Sequence, residues 1–123
     1  MSEDVISDVL NQIMNAKRTG KKELVVQRYS KLLLNILNIA QEAGYLTYSQ
    51  EGKQLKIDIG EVHTIKAINP RFTVSVPKID GYVRRYLPAK NFGFLIVSTS
   101  KGLMRHDEAE AQKIGGCLVA YVY

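Results

Sequence analysis

The chain has 123 residues, of which 17 are Lys or Arg and 12 are Asp or Glu, so that its formal charge is +5. A hydrophobic content of 46% is sufficient for a packed core, which excludes an intrinsically disordered chain, and the length suits one ordinary domain or two very small ones. The single Cys117 excludes an internal disulfide framework, and no apolar run is long enough for a signal peptide or a membrane span, so we expect a cytoplasmic protein without a membrane partner.

The sequence begins with a helical pattern that is followed by an extended one. Apolar residues between Val5 and Met14 recur at spacings of one, three and four, which predicts a helix from about residue 4 to 18. We expect Gly20 to end this helix. The apolar run at residues 24–26 contains two β-branched side chains and predicts a strand.

A second helix and a hairpin are predicted next. Ser30 is a suitable N-cap and Gly44 a suitable C-terminal stop, and the apolar residues between them cover so wide an arc that we expect a largely buried helix. Residues 45–48 and 55–59 have strand character and are joined across residues 51–53 as a hairpin. The first half therefore has the predicted order α-β-α-β-β.

The periodicity then changes from helical to alternating. Residues 62–67 and 72–76 predict two strands, with Asn69-Pro70 as a turn between them. Residues 78–91 are predicted to be irregular, because Asp80-Gly81 is typical of a turn.

The C-terminal part is predicted to contain two strands and one short helix. Residues 94–97 form the most apolar strand, and residues 118–123 form the last one. Between them we expect a short helix that is capped by His106 or Asp107 and stopped by Gly115-Gly116.

These elements predict an α+β protein of two small domains. The first, residues 1–66, has the order α-β-α-β-β; the second, residues 67–123, is mostly β with one short helix. The boundary is expected near residues 64–70.

The positive charge is concentrated in two blocks. Residues 15–35 carry a net charge of +5 and residues 61–93 a net charge of +4, with a neutral zone between them. Such blocks attract phosphate groups through counterion release, which favours a nucleic-acid partner. A solvated surface that keeps a small protein soluble explains the same charge equally well.

A cluster of small polar residues, Ser98-Thr99-Ser100-Lys101-Gly102, follows the most apolar strand. Three hydroxyls and the backbone amides at a strand end can donate to phosphates, ribose hydroxyls or base edges. An ordinary turn that satisfies its own backbone is an equally good interpretation. Ser98 and Lys101 also form Ser-x-x-Lys, which would make a small serine hydrolase, but the companion motifs of such enzymes are missing from the sequence.

The remaining candidate groups give weaker signals. His63 and His106 lack the spacing of metal ligands and Cys117 has no partner thiol, so we expect neither a metal site nor a cofactor. Tyr82 and Tyr86 flank two arginines and could stack on unpaired bases, although aromatic residues in a small domain often serve for packing. Docking of residues 103–123 on a neighbouring protein is a further hypothesis.

The two halves of a longer signature lie in the C-terminal part. The stretch 98–104, Ser-Thr-Ser-Lys-Gly-Leu-Met, is followed by 114–122, Ile-Gly-Gly-Cys-Leu-Val-Ala-Tyr-Val, and this pair resembles the signature of the small-subunit ribosomal protein eight family. Residues 69–72 and 87–94 are similar to its archaeal and eukaryotic branch, and residues 8–16 to its first helix. One position departs from the family, because Cys117 stands where bacterial members commonly have a glutamate.

The resemblance implies a structural protein without catalytic activity. Members of the family bind directly to the central domain of small-subunit ribosomal RNA, chiefly through the C-terminal domain, and help to organise it during assembly. By match of motif, the expected RNA-binding residues are Ser98, Thr99, Ser100, Lys101, Gly102, Gly115, Gly116, Asn15, Lys17 and, less directly, Lys31. The implied partners are small-subunit ribosomal RNA and neighbouring ribosomal proteins, and outside the ribosome we expect a monomer.

Overall fold

The computed structural model describes residues 5–27, 29–88 and 93–123, with the backbone alone at 69–72. In these parts of the chain the elements are, in order, α1 (Val5–Arg18), β1 (Glu23–Val26), α2 (Lys31–Glu42), β2 (Thr47–Glu51), β3 (Gln54–Asp58), β4 (Ile65–Val74), α3 (Val76–Tyr86), β5 (Phe94–Thr99), β6 (Gly102–Arg105), α4 (His106–Gln112) and β7 (Gly116–Val122). The predicted α+β class and the order α-β-α-β-β of the first half are confirmed.

The chain divides into two compact units, Met1–Ile65 and Lys66–Tyr123. The assignment of residues 1–66 and 67–123 to separate functional domains stays a prediction. Among the described residues, no helix combines the length and the apolar character that crossing a membrane requires.

Both helices of the first unit end where the sequence predicts. After α1, Gly20 has φ +84° and donates its N–H to the Lys17 carbonyl, while the Lys21 N–H donates to the Ala16 carbonyl. This pattern of paired bonds closes a helix whose next residue adopts a left-handed conformation. The side chains that α1 buries lie on one stripe: Ile6, Val9, Leu10, Ile13 and Ala16.

The second helix, α2, is capped at both ends by the predicted residues. The Ser30 hydroxyl accepts a hydrogen bond from the Leu33 N–H at 3.2 Å, and Gly44 has φ +85°. The residues that α2 buries completely are Leu33, Ile36, Leu37 and Ala40.

These helices cover one face of an antiparallel sheet with the strand order β1-β3-β2. The hairpin between β2 and β3 turns at Gly52-Lys53, because Glu51 is paired with Gln54. Leu55 and Ile57 alternate with exposed or half-buried residues along β3 and are themselves fully buried. The first unit thus has one buried and one open sheet face.

The second unit contains a four-stranded sheet with the order β4-β7-β5-β6. Its β5 lies between two partners and buries every side chain from Phe94 to Val97. The register between β5 and β7 shifts after Ile96, which is paired with Ala120, whereas Val97 is paired with Leu118. Side chains of both helices join this core, among them Ile79 and Val83 from α3 and Ala109 from α4.

The predicted turn at Asn69-Pro70 is wrong, because β4 runs without interruption from Ile65 to Val74. The strand lies at the edge of its sheet. Proline has no N–H and so cannot donate to a neighbouring strand on both sides of a sheet. An edge strand is hydrogen-bonded on one side only, so it can accommodate a proline.

The prediction of irregular structure from residue 78 onwards is also wrong over most of its length. Residues Val76–Tyr86 form α3, with Pro77 in its first turn and Gly81 in its middle. The second unit therefore has two helices, where one was predicted. Leu87 caps the helix in an extended conformation, as expected before Pro88. Residues 89–91 of the predicted segment lie outside the described residues.

The short helix α4 begins and ends differently from the prediction. Its N-cap is Arg105, which makes no side-chain cap bond, rather than His106 or Asp107. Its end is set by Lys113, which has φ +58°, and Gly115-Gly116 lie beyond it, at the approach to β7. The preceding strand β6 was not predicted, because it has only four residues and begins with a glycine.

Candidate nucleic-acid interface

The polar cluster forms a tight turn between β5 and β6. Thr99 is paired with Gly102 and Ser98 with Leu103, so that only Ser100 and Lys101 lie outside the strand pairing. Gly102 has φ +108°, a conformation that residues with a side chain rarely adopt. The cluster is therefore fixed to a sheet on both sides.

The hydroxyl of Thr99 is used within this turn. It donates to the Gly102 carbonyl at 2.8 Å and accepts from the Lys101 N–H at 3.1 Å. Because a hydroxyl has one proton, Thr99 has no further donor to offer while the turn is intact. At this residue the hydroxyl serves the turn, and contact of Thr99 with RNA stays a prediction.

The other polar side chains of the cluster remain available. Ser98 is half-buried, whereas Ser100 and Lys101 are exposed. Within the described parts of the chain, no hydrogen bond is formed by the Ser98 and Ser100 hydroxyls and no ion pair by Lys101. Two hydroxyls and one ammonium group can therefore bind a ligand without disrupting the turn.

The two expected glycines are surrounded by the protein's own backbone. A Cβ on Gly115 would lie 2.6 Å from the Val74 carbonyl oxygen, and one on Gly116 would meet the Ser98 carbonyl and lie 2.9 Å from the Val97 side chain. Cβ atoms do not approach backbone so closely, so both positions require glycine for packing. Since Ser98 is paired with Cys117, the two halves of the signature lie side by side.

The three expected residues of the first unit are all exposed. Asn15 and Lys17 lie in the last turns of α1, and Lys31 is the first residue of α2. The Asn15 side-chain oxygen accepts from Arg18 at 3.0 Å. Neither lysine forms an ion pair with any described residue, so both can neutralise a bound phosphate.

Part of the second basic block lies on α3. Lys78, Arg84 and Arg85 are exposed, and Arg84 forms an ion pair with Asp80 at 3.0 Å. Sequence patterns did not assign these residues to a helix. The spacing of Ile79 and Val83, four residues apart, is the signal that could have done so.

The tyrosines near these arginines contribute to packing. Tyr82 and Tyr86 are half-buried against the core, and the Tyr86 ring stacks on Tyr121 with 5.2 Å between centroids. Tyr121 stacks in turn on Tyr123, and burial, together with these two neighbouring rings, raises the pKa of the Tyr121 hydroxyl. A ring face that Tyr121 covers is not open to a base, which favours the packing interpretation for Tyr86.

The alternative chemistries receive no support from the geometry. No hydrogen bond joins Ser98 to Lys101, and Ser98 lies in a strand rather than at a helix start. His106 Nδ1 accepts from the Leu95 N–H at 3.0 Å, and burial is the main cause that lowers its pKa. Within the described ranges, no three His, Cys, Asp or Glu side chains are placed to hold a metal ion.

Comparison with known proteins matches the whole length of the chain. A family model described as Ribosomal protein S8 matches residues 4–123. Small ribosomal subunit protein uS8 of Nanoarchaeum equitans is 41% identical over 129 aligned positions, and uS8 of Archaeoglobus fulgidus is 39% identical over the same number, each alignment covering 100% of both chains. The chain therefore belongs to the ribosomal protein S8 family, in its archaeal branch.

Proposed function

We propose that this chain is a structural component of the small ribosomal subunit and not an enzyme. In this role it binds the central domain of small-subunit ribosomal RNA directly, aids its assembly, and works in the cytoplasm. Outside the ribosome it is a monomer, and within the subunit it has other ribosomal proteins as neighbours. Family membership and the two basic blocks support this function.

The observation that carries the proposal is the rigid turn at residues 98–102. Its free hydroxyls, on Ser98 and Ser100, are short groups that both donate and accept hydrogen bonds. An A-form RNA helix exposes ribose hydroxyls and base edges in a shallow minor groove and hides its other edges. A hairpin turn with short polar side chains fits such a surface closely, and Lys101 adds a charge for a phosphate.

The glycines contribute to the same site in two ways. Gly102 gives the turn its backbone conformation, and Gly115 and Gly116 allow β7 to lie close to the end of β5. Asn15, Lys17 and Lys31 of the first unit supply contacts to phosphates, which add affinity without sequence information.

A binding titration tests this function. The chain is titrated by gel shift against a central-domain rRNA fragment and against an unrelated stem of equal length, at physiological salt. We expect the central-domain fragment to bind more tightly by about tenfold or more. Equal affinity for the two RNAs would contradict specific recognition.

A further inference from the structure

The sheet of the first unit has an open face whose charge is opposite to that of the whole chain. On this face, Glu23 of β1 is paired with Asp58 of β3, and Val25 of β1 with Lys56 of β3. Every second residue of β2, the strand on the other side of β3, lies on the same face. The side chains of this open face are those of Glu23, Val25, Thr47, Ser49, Glu51, Gln54, Lys56 and Asp58. All of them are exposed except Lys56, which is half-buried.

The charged groups of the open face are mainly acidic. The open face has three carboxylates and one ammonium group, that of Lys56; the carboxylates are those of Glu23, Glu51 and Asp58. Its net charge is therefore −2, whereas the whole chain has a net charge of +5. Lys56 is paired with Glu23 at 2.8 Å. Glu51 and Asp58 have no ion pair with any described residue, and the one ammonium that interacts with them, that of Lys56, is already paired with Glu23.

The open face also carries an apolar group. Val25 is 52% exposed, more than any other large hydrophobic side chain in the described ranges. It lies on β1, at the edge of the sheet, and lines a groove of about 250 Å³ between β1 and α1, where Asp8 adds a further carboxylate. The cross-strand neighbour of Val25 is Lys56, and the open face around them has a net charge of −2. An exposed valine on such a face is unfavourable in water but suits a protein partner.

An RNA partner does not fit this surface. The phosphate backbone would repel three carboxylates, while other parts of the chain offer free lysines. A basic, extended protein segment, with an apolar side chain to cover Val25 and Lys or Arg beside Glu51 and Asp58, complements both features. Unpaired backbone groups at a sheet edge such as β1 also favour an extended partner.

We infer that the open face is a docking surface for a basic, extended segment of a neighbouring ribosomal protein. This inference rests on the proposed place of the chain in the small subunit, but it does not depend on which residues bind RNA. It assigns opposite partners to two parts of the molecule: RNA to the turn at 98–102 and protein to the open face.

Site-specific cross-linking in purified small subunits tests the inference. A photo-reactive phenylalanine analogue replaces Ser49, which lies in the middle of β2 on the open face and is paired with Lys56. In a separate protein it replaces Ser100 in the turn. We expect the Ser49 position to cross-link to a Lys- or Arg-rich peptide of one other ribosomal protein, identified by mass spectrometry. A cross-link to rRNA, or none, would overturn the inference, whereas the Ser100 position tests the proposed RNA contact separately.

Substitutions at Val25 test the charge complementarity. Val25→Lys adds a positive charge to the open face and Val25→Glu a negative one, with similar loss of apolar surface. We expect retention of the chain in salt-washed subunits to fall about threefold further for Val25→Lys than for Val25→Glu, with equal affinity for isolated rRNA. Equal retention of the two variants would show that the surface does not bind a basic partner.

Discussion

The backbone of Gly116 lies directly against the carbonyl group of Ser98. A Cβ at position 116 would meet that carbonyl oxygen and would lie 3.0 Å from the Ser98 carbonyl carbon. Ser98 is also the first of the hydroxyl residues that we propose to contact RNA. The contact therefore links the start of β7 to the position of the candidate RNA-binding turn.

This contact predicts a large effect of Gly116→Ala on stability. The added methyl group meets a strand backbone on one side and the Val97 side chain, at 2.9 Å, on the other, and neither can move without disturbing the sheet. We expect the free energy of unfolding to fall by about 1–3 kcal/mol. Chemical denaturation of the whole chain measures it.

Gly81→Ala is the matched control for that substitution. Gly81 lies in the middle of α3, and a Cβ there meets no atom within 4 Å. Alanine in a helix interior is more favourable than glycine by about 1 kcal/mol, so this variant should be more stable than the natural sequence. Equal effects of the two substitutions would contradict the role given to the Ser98 contact.

Removal of the Ser100 hydroxyl and removal of the Thr99 hydroxyl should affect stability and RNA binding differently. Ser100→Ala removes a hydroxyl without a protein partner, so we expect no loss of stability and a loss of roughly 1–3 kcal/mol in specific RNA binding. Thr99→Ala removes a hydroxyl with two bonds inside the turn. We expect it to lower the free energy of unfolding by about 1 kcal/mol and to weaken RNA binding indirectly.

Thr99→Ser distinguishes these roles, because it keeps the hydroxyl and loses only a methyl group. We expect Thr99→Ser to retain both the stability and the RNA affinity of the natural chain. The dependence of affinity on salt should be unchanged in all three variants, since none removes a charge. A lower stability of Ser100→Ala would show that its hydroxyl has a structural role after all.

Removal of Lys17 should instead change the salt dependence. Affinity for RNA falls as salt concentration rises. If Lys17 neutralises one phosphate, Lys17→Ala reduces the steepness of log affinity against log salt by about 1, and we expect the same reduction for every RNA sequence. Lys53→Ala is the control, because Lys53 is equally exposed but lies in the hairpin turn beside the acidic sheet face. Equal slopes for the two variants would contradict a phosphate contact at Lys17.

Local sequence signals predicted the first unit better than the second. Ser30, Gly20 and Gly44 act on their own helix ends, and the structure has each cap in its predicted place. In the second unit, Pro70 and Gly81 each predict a turn, but Pro70 lies in an edge strand and Gly81 inside a helix. Strand position and tertiary packing decided these cases, and neither is visible in a short window of sequence.

The candidate site, too, could be predicted from the sequence only in part. The family signature identified residues 98–102 and 115–116 as a pair, and β5 and β7 bring them together. The sequence could not predict which hydroxyl is bonded within the turn and which is available to a ligand. That depends on the distance from the Thr99 hydroxyl to the Gly102 carbonyl across the turn. The charge of the open face likewise depends on strand register, which assigns Glu23 and Asp58 to the same side.

His106 gives the second unit a predicted dependence on pH. Its Nδ1 accepts the Leu95 N–H just beyond the last paired residues of β5 and β6, so that the imidazole continues the ladder. Burial lowers its pKa from 6.5, with a smaller contribution from Arg105, while Asp107 and Glu110 act in the opposite direction. A protonated Nδ1 cannot accept this bond, so the folded state favours the neutral ring.

Because the pKa of His106 is lower in the folded chain, the unfolded chain binds more protons as the pH falls below 6.5. The stability that neutral His106 contributes to the folded chain is therefore fully present above pH 6.5. It is lost progressively as the pH falls towards the pKa that His106 has in the folded chain. His106→Asn keeps an acceptor, the side-chain oxygen, but does not titrate. We therefore expect the difference in free energy of unfolding between the natural chain and His106→Asn to be constant above about pH 7 and to shift in favour of the variant as the pH falls towards about 5. Denaturation across this range measures it. All other titratable groups are common to both proteins, so a difference that does not change with pH would show that His106 does not couple folding to protonation.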